Sequence, residues 1–339
     1  MDRADLLSTL KRVAGAISNK TFLPILTHLC FDGSCVIAYD DVVALRAPCT
    51  LDFEGCIVGD RLLAILSSSR ASSVECIAEK SEVVLKLGRT KARFAFLPQS
   101  EFPFTPPSKK GIKLVVDEKL QRAFKIASCS AGRDSAFPSR LGITCVFGRK
   151  KLTLYAADNL TIVRVVLNHS ESKLEGQQFI LLPRFYDLLL AMKGANLVIT
   201  PKNNILGMSK ELELFGKVLP DANPEQFEKA FEAAKLKEIP KADVPSAFAR
   251  CLERAIVADK DLTEFSYADG RLIMITKGQG CEVRDSVKID LGEDSIEVFS
   301  SSECLSRYLG FVSRIGIATQ CLHLQGDGFD ALIGVKAKE

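Results

Sequence analysis

The chain has 339 residues, 47% of them hydrophobic and 26% charged, which is apolar enough for packed cores and too apolar for a disordered chain. Lys and Arg number 45 against 42 Asp and Glu, so a net charge of +3 excludes holding nucleic acid by bulk charge alone. At roughly 100 to 200 residues per domain, two or three domains are expected.

The opening MDRADLLSTLKRVAGAI predicts an amphipathic helix, with Leu6, Leu7, Leu10, Val13, Ala14 and Ile17 on one face, rather than a signal peptide. Two strand-like runs follow, LTHLCF and VIAYDDVVALRA, parted by the turn Asp32-Gly33. Asp60 is expected to cap a second helix, RLLAILSSS, ahead of the strands VECIAEK, EVVLKLG and RFAFLP. The same order then returns. A helix carrying Leu120, Ala123, Phe124 and Ala127 precedes LGITCVF and KLTLYAADNLTIVRVVL, the helix PRFYDLLLAMK, and LVITP, ILGMSK and LELFGKVLP. It returns once more from a helix with Phe248, Cys251, Leu252 and Ala255, through LTEFSYADG, RLIMITKG and EVRDSVKID, the helix SSECLSRYLGFV, and QCLHLQG and FDALIGVKA.

Three modules are therefore expected, over 1–108, 109–235 and 236–339, each an α+β unit of two helices packed on antiparallel sheet. The joints are the Pro-rich and charged stretches FPFTPPSKKG near 102–111 and EAAKLKEIPK near 232–241.

The 11 cysteines contain no CxxC pair and read as reduced, mostly buried thiols of a cytoplasmic protein. No phosphate-cradling GxGxxG or GxxxxGK[ST] occurs, and His28, His169 and His323 fall in different modules, so neither cofactor nor metal is expected. Asp40, Asp41 and Asp158 sit between strand-like runs, where Asp stabilises a turn. A binding protein is favoured over an enzyme.

Basic residues recur on equivalent helices: Lys11 and Arg12, with Lys20 in the loop beyond; Lys119, Arg122 and Lys125, with Arg133 beyond; Arg250 and Arg254, with Arg307 and Arg314 on the partner helix. Lining one channel, they would hold a phosphate backbone without reading bases.

Several phrases together resemble the bacterial sliding clamp, the beta subunit of DNA polymerase III. They are NKTFLPILTHLCF with AYDDVVAL, RFAFLPQSEFPF, LTLYAADNLTIVRV, GKVLPDANPEQF and FARCLERAIVADKDLTEF, and the resemblance covers nearly the whole chain, in a shortened and diverged form that suits a phage or mobile-element version. It implies a non-catalytic processivity factor in the bacterial cytoplasm or nucleoid. Two protomers would close head to tail into a ring around double-stranded DNA, opened by a clamp loader and tethering a DNA polymerase. Carried over by position, Lys20 and Arg133 would lie near DNA, to which the helix argument adds Arg122 and Lys125. Phe102, Ile256 and Val257 would lie in the dimer interface. A peptide pocket would use Asn159, Leu160, Thr161, Ile162, Pro224, Lys229, Leu262, Val335 and Ala337. Here the chain departs from the family's pattern: Ala157 and Asn159 stand for its Thr and Gly, Leu160-Thr161 for its His-Arg, and Val335-Lys336-Ala337 for its Met-Pro-Met ending. The alternative is a monomeric interaction scaffold of the clamp fold that does not encircle DNA.

Overall fold

A computed structural model of the chain describes residues 1–18, 23–49, 51–79, 82–133, 140–168, 171–200, 203–220, 222–292 and 295–337. Lys20 lies outside the described residues. The chain starts with α1 (Arg3–Val13), β1 (His28–Asp32), β2 (Cys35–Tyr39), β3 (Val43–Pro48), β4 (Glu54–Val58), α2 (Gly59–Ser68), β5 (Glu75–Ala78), β6 (Glu82–Leu87) and β7 (Thr90–Ala95). After β8 (Ile112–Val115) come α3 (Glu118–Ser128), β9 (Ile143–Phe147), β10 (Lys151–Ala157), β11 (Thr161–Asn168), β12 (Gln178–Leu181), α4 (Pro183–Ala191), β13 (Asn196–Ile199), β14 (Asn204–Met208) and β15 (Glu213–Leu219). After α5 (Glu225–Ala233) and β16 (Lys241–Asp243) come α6 (Phe248–Ala258), β17 (Thr263–Ala268), β18 (Arg271–Gly278), β19 (Cys281–Lys288) and β20 (Ile296–Ser300). The chain finishes with α7 (Ser302–Ser306), β21 (Val312–Ile317), β22 (Cys321–Gly326), β23 (Phe329–Gly334) and β24 (Lys336–Ala337). The fold class is α+β, and the order helix, four strands, helix, three strands runs three times.

Local chemistry accounts for most of these boundaries. The Asp2 carboxylate accepts from the Asp5 backbone N–H at 2.9 Å and opens α1, which buries Leu6, Leu10 and Val13. Helix α2 starts one residue before the expected cap: Asp60 falls in its first turn, where its charge faces the helix dipole favourably, and no side chain caps it. Helix α7 is shorter than SSECLSRYLGFV suggested. Ser301 caps it, but the chain leaves the helix after Ser306 and turns through Tyr308 and Leu309 into β21. Helix α5 lies across the end of the second module and the start of a stretch read as a joint.

Packing gathers the chain into two compact units, one of Met1–Asp117 with Arg184–Val218, the other of Glu118–Pro183 with Leu219–Glu339. Each contains the same antiparallel sheet. In the first the order is β4-β1-β2-β3-β15-β14-β13-β8, and in the second it is β12-β9-β10-β11-β23-β22-β21-β16. In both, the four-strand half of one module is continued by the three-strand half of the next, followed by a short linker strand. The first unit also holds a separate sheet β5-β6-β7, and the second holds β19-β18-β17-β20-β24. In the first unit α1 packs on β2 and β3, and in the second α3 packs on β10 and β11. Phe31 and Phe215 are fully buried in one unit, Phe124, Phe248 and Phe265 in the other. Burying a side chain of this size contributes about 1.5–3 kcal/mol.

The hairpins β2–β3, β6–β7, β10–β11, β14–β15, β18–β19 and β22–β23 each close with a two-residue turn, so positions can be counted from it. Arg46 and Arg164 are each three residues past the closing residues Val43 and Thr161. Glu213 and Asp330 are each one residue past Leu212 and Phe329. The strands then meet in the same register in both units, Arg46 opposite Glu213 and Arg164 opposite Asp330. Both pairs are ionic, at 3.4 Å and 3.3 Å.

The cysteines are free thiols, and all but Cys281 are buried or half-buried. Among the described residues, no helix is long and apolar enough to cross a membrane.

Candidate functional site

In the second unit a cavity of about 540 Å³ lies between the turn after β10, helix α5 and the β22–β23 hairpin. The turn has the simplest cause. Asp158 Oδ1 accepts from the backbone N–H groups of Leu160 and Thr161 at 2.8 Å and 2.7 Å, fixing the chain reversal and pushing Leu160 outward, 52% exposed. Asp40 does the same for Val42 and Val43 in the first unit, so these carboxylates are turn formers, as their sequence context suggested.

The turn is braced from behind. Arg307 donates to Asp158 Oδ2 at 3.1 Å, and Ser130 Oγ lies 2.6 Å from Thr161 Oγ1 and also bonds the Tyr308 hydroxyl. Burial raises the Tyr308 hydroxyl well above its ordinary value, so it stays neutral. The Gly334 N–H donates to Leu160 O at 2.7 Å and ties the turn to the end of β23.

Helix α5 forms the opposite wall, with apolar Phe227 and Phe231 four residues apart on its inner face. Phe227 stacks on Tyr155 with centroids 5.3 Å apart, and Phe231 lies under the Arg164 guanidinium at 4.6 Å. Facing the turn, α5 and the residue after it present Ala230, Ala233 and Ala234, too small to fill the space, and the cavity results. Its floor is Ile162, Cys321 and Leu332, and its rim is polar, with Gln226, Gln320 and Arg140, whose Nη1 donates to Asn159 Oδ1 at 2.8 Å.

The helix is anchored by an ionic chain. Arg164 reaches Glu228 at 2.9 Å and Asp330 at 3.3 Å, Tyr155 donates to Glu228, and His323 Nε2 lies 2.9 Å from Asp330 Oδ1. Burial would raise the Asp330 carboxyl, but bonds from His323 and Arg164 outweigh it and hold the carboxyl below its ordinary value. His323 is fully buried.

The first unit fills the corresponding place. Tyr39 stands where Ala157 does, Phe215 where Leu332 does, and Phe104 packs on both, with centroids 5.1 Å and 5.5 Å away.

Of the residues expected at a pocket, Leu160, Thr161, Ile162 and Asn159 line this cavity. Pro224 starts α5, and Lys229 is exposed on that helix without lining the cavity. Leu262, 48% exposed, and Val335 do not line it either, and Ala337 pairs through its backbone with Val298. Arg140, Phe227, the alanines and Gln320 were not anticipated. The Phe227/Phe231 spacing was the available signal, whereas Arg140 and Gln320 arrive from loops far away in sequence.

On α3, Lys125 is exposed, while Arg122 is half-buried, donates to Asp327 O at 3.2 Å and lies over the Phe311 ring. Arg133 is exposed. Several other basic residues are engaged: Arg12 with Glu211 at 2.6 Å and Arg254 with both Asp285 oxygens at 2.7 Å and 2.9 Å. Phe102 is 8% exposed, in a core cluster with Cys30, Ile37 and Cys56. On α6, Ile256 is half-buried and Val257 is 85% exposed.

The Thr161 hydroxyl donates to Asp158 Oδ1 at 3.0 Å as part of the turn, and no metal-ligand cluster of His, Cys, Asp or Glu exists among the described residues. The arrangement suits an extended apolar segment with a few polar groups.

No family model matches the chain, and no curated protein matches it in sequence. Solved structures do match in fold. The DNA polymerase III subunit beta sliding clamp from Pseudomonas aeruginosa bound to griselimycin is similar with a TM-score of 0.85 at 16% identity, over 100% of this chain and 98% of that one. A Helicobacter pylori beta clamp bound to a DNA ligase peptide gives 0.82 at 16% identity, over 99% and 98%. The DNA polymerase III beta subunit from Thermotoga maritima gives 0.82 at 16%, over 100% and 99%. The chain has the sliding-clamp fold.

Proposed function

We propose that this chain is a sliding clamp, a non-catalytic processivity factor of bacterial type. Two copies close head to tail around double-stranded DNA, and the ring tethers a DNA polymerase through the cavity beside α5. The carrying observation is a remainder. Two junctions between modules are built alike inside the chain, and the halves left over are β5-β6-β7 and β20-β17-β18-β19. Joined across two copies, these halves make the same strand order a third time and cover edges that would otherwise stay open. The three modules, 1–108, 109–235 and 236–339, are the units of that repeat. Ile256 and Val257 lie on α6, which packs on β19, and would be covered at the closure. Phe102 belongs to the core behind it.

Lys125, Arg133, Arg122 and Lys20 would meet the phosphate backbone, helped by exposed Lys11, Lys119 and Arg250. Such contacts hold without sequence and let the ring move. The occupant of the cavity is a short apolar peptide of a polymerase or of the clamp loader that opens the ring; the similar Helicobacter pylori clamp is bound to a DNA ligase peptide. Leu160 and Ile162 would meet its apolar side chains, with Thr161, Pro224, Lys229, Leu262, Val335 and Ala337 around the seat.

Two measurements test this reading. Light scattering over a dilution series should give twice the 37.1 kDa chain mass. A primer-extension assay with a cognate polymerase and loader should show longer products with the parent chain than with Leu160→Asp, which is exposed and should leave folding intact. A monomer at every concentration would overturn the ring, and equal products from Leu160→Asp would overturn the seat.

A further inference from the structure

The two junctions inside the chain fix the register that the closure between copies would adopt. Counted from the β6–β7 turn, Lys91 occupies the position of Glu213 and Asp330, one residue past the closing Thr90. Counted from the β18–β19 turn, Arg284 occupies the position of Arg46 and Arg164, three residues past the closing Cys281. The same register therefore sets Lys91 against Arg284, Ala92 against Val283, Arg93 against Glu282 and Phe94 against Cys281. Where both internal junctions pair Arg with a carboxylate, the free edges offer Lys and Arg.

Resting on the ring reading above, we propose that head-to-tail closure of two copies is held weak by this like-charge pair, Lys91 of one copy against Arg284 of the next. Both residues are exposed, and neither has an ion-pair partner among the described residues. The neighbouring strand does not neutralise Lys91 either: the residue opposite it on β6 is Lys86, already bound to Glu75 at 3.0 Å. Like charges placed directly opposite on adjacent strands destabilise the pairing. Arg93 against Glu282 attracts and keeps the register, so the closure combines one favourable and one unfavourable ionic step. The partner is a second copy because, among the described strands, the β19 edge carries the strand order that completes the β5-β6-β7 half. Head-to-tail symmetry puts two such contacts in every ring, so each substitution acts twice.

The test is the dimer dissociation constant by analytical ultracentrifugation for the parent, Lys91→Glu, Arg284→Glu and the double variant. Each single change restores an acid–base pair and should tighten the dimer about tenfold or more. The double variant opposes two carboxylates and should fall back close to the parent. Raising salt from about 0.05 M to about 0.5 M should change the parent little, because screening removes one attraction and one repulsion together, and should loosen both single variants, in which both ionic steps attract. Arg284→Gln should fall between parent and Arg284→Glu. A parent dimer with single variants that are no tighter would overturn this inference and leave the ring standing. Monomers throughout, in parent and variants up to about 0.1 mM, would overturn both.

Discussion

Arg164 on β11 faces Asp330 on β23 with Nη2 and Oδ2 3.3 Å apart, in the register by which Arg46 on β3 faces Glu213 on β15. The pair in the second unit has a further task. Through Glu228 it holds α5 on the sheet, and α5 is one wall of the cavity.

Replacing Arg164 by Met should therefore cost more than a surface ion pair. It leaves Glu228 and the mostly buried Asp330 without their cation and removes the contact with Phe231. About 1–3 kcal/mol of unfolding free energy is expected, read from urea denaturation, with Arg164→Lys recovering part of it. Peptide affinity should fall together with stability, because the helix wall loosens.

The same site gives a signed pH dependence. Asp330 has a folded-state pKa below its unfolded value, so its contribution is present above about pH 4 and is lost as pH falls through the lower folded value. The difference in urea midpoint between the parent and Asp330→Asn should be constant near neutrality and shrink between about pH 4 and pH 2. A difference that held constant down to pH 2 would contradict the assignment.

Gly142, between the cavity residue Arg140 and strand β9, has φ +71, and a Cβ there would collide with Leu181 O. Gly142→Ala meets both a left-handed backbone and a backbone atom that cannot swing aside. A loss of at least about 2 kcal/mol is expected in urea unfolding.

Cys281 is exposed on the open edge of β19, while the other thiols are buried or half-buried. In dilute protein a thiol reagent should modify it first, and Cys281→Ser should abolish that fast phase. If two copies pair this edge with β7, the fast phase should slow as protein concentration rises. A rate independent of concentration, under conditions where the native mass is that of a dimer, would put the interface elsewhere.

The repeat was legible because it is written in alternation and turn chemistry, which are local. Asp40 and Asp158 announced their turns, and EVRDSVKID announced β19. Helix α5 was missed because the segment around it is charged and begins after a proline, which reads as a joint; Phe227 and Phe231 were the only apolar residues marking a face. The basic residues illustrate a different limit. Arg12 meets Glu211, and Arg307 meets Asp158, across stretches of chain so long that no spacing rule links them. Sequence placed Arg12 on α1 correctly but carried Arg307 and Arg314 onto a helix that ends at Ser306, with Arg314 on β21 instead, and could not see that Arg12 and Arg307 were already paired. The cavity was half legible: its turn is local, but its rim is assembled from helix α5 and two loops distant in sequence.

The two sheets have one backbone plan, yet only the second unit pairs it with a row of alanines, while Tyr39, Phe104 and Phe215 occupy the equivalent place in the first. Side-chain volume at a few positions thus decides which copy of the plan is hollow. The equivalent place is open in one unit and filled in the other, and a duplicated architecture is made asymmetric without any change in its hydrogen-bonded framework.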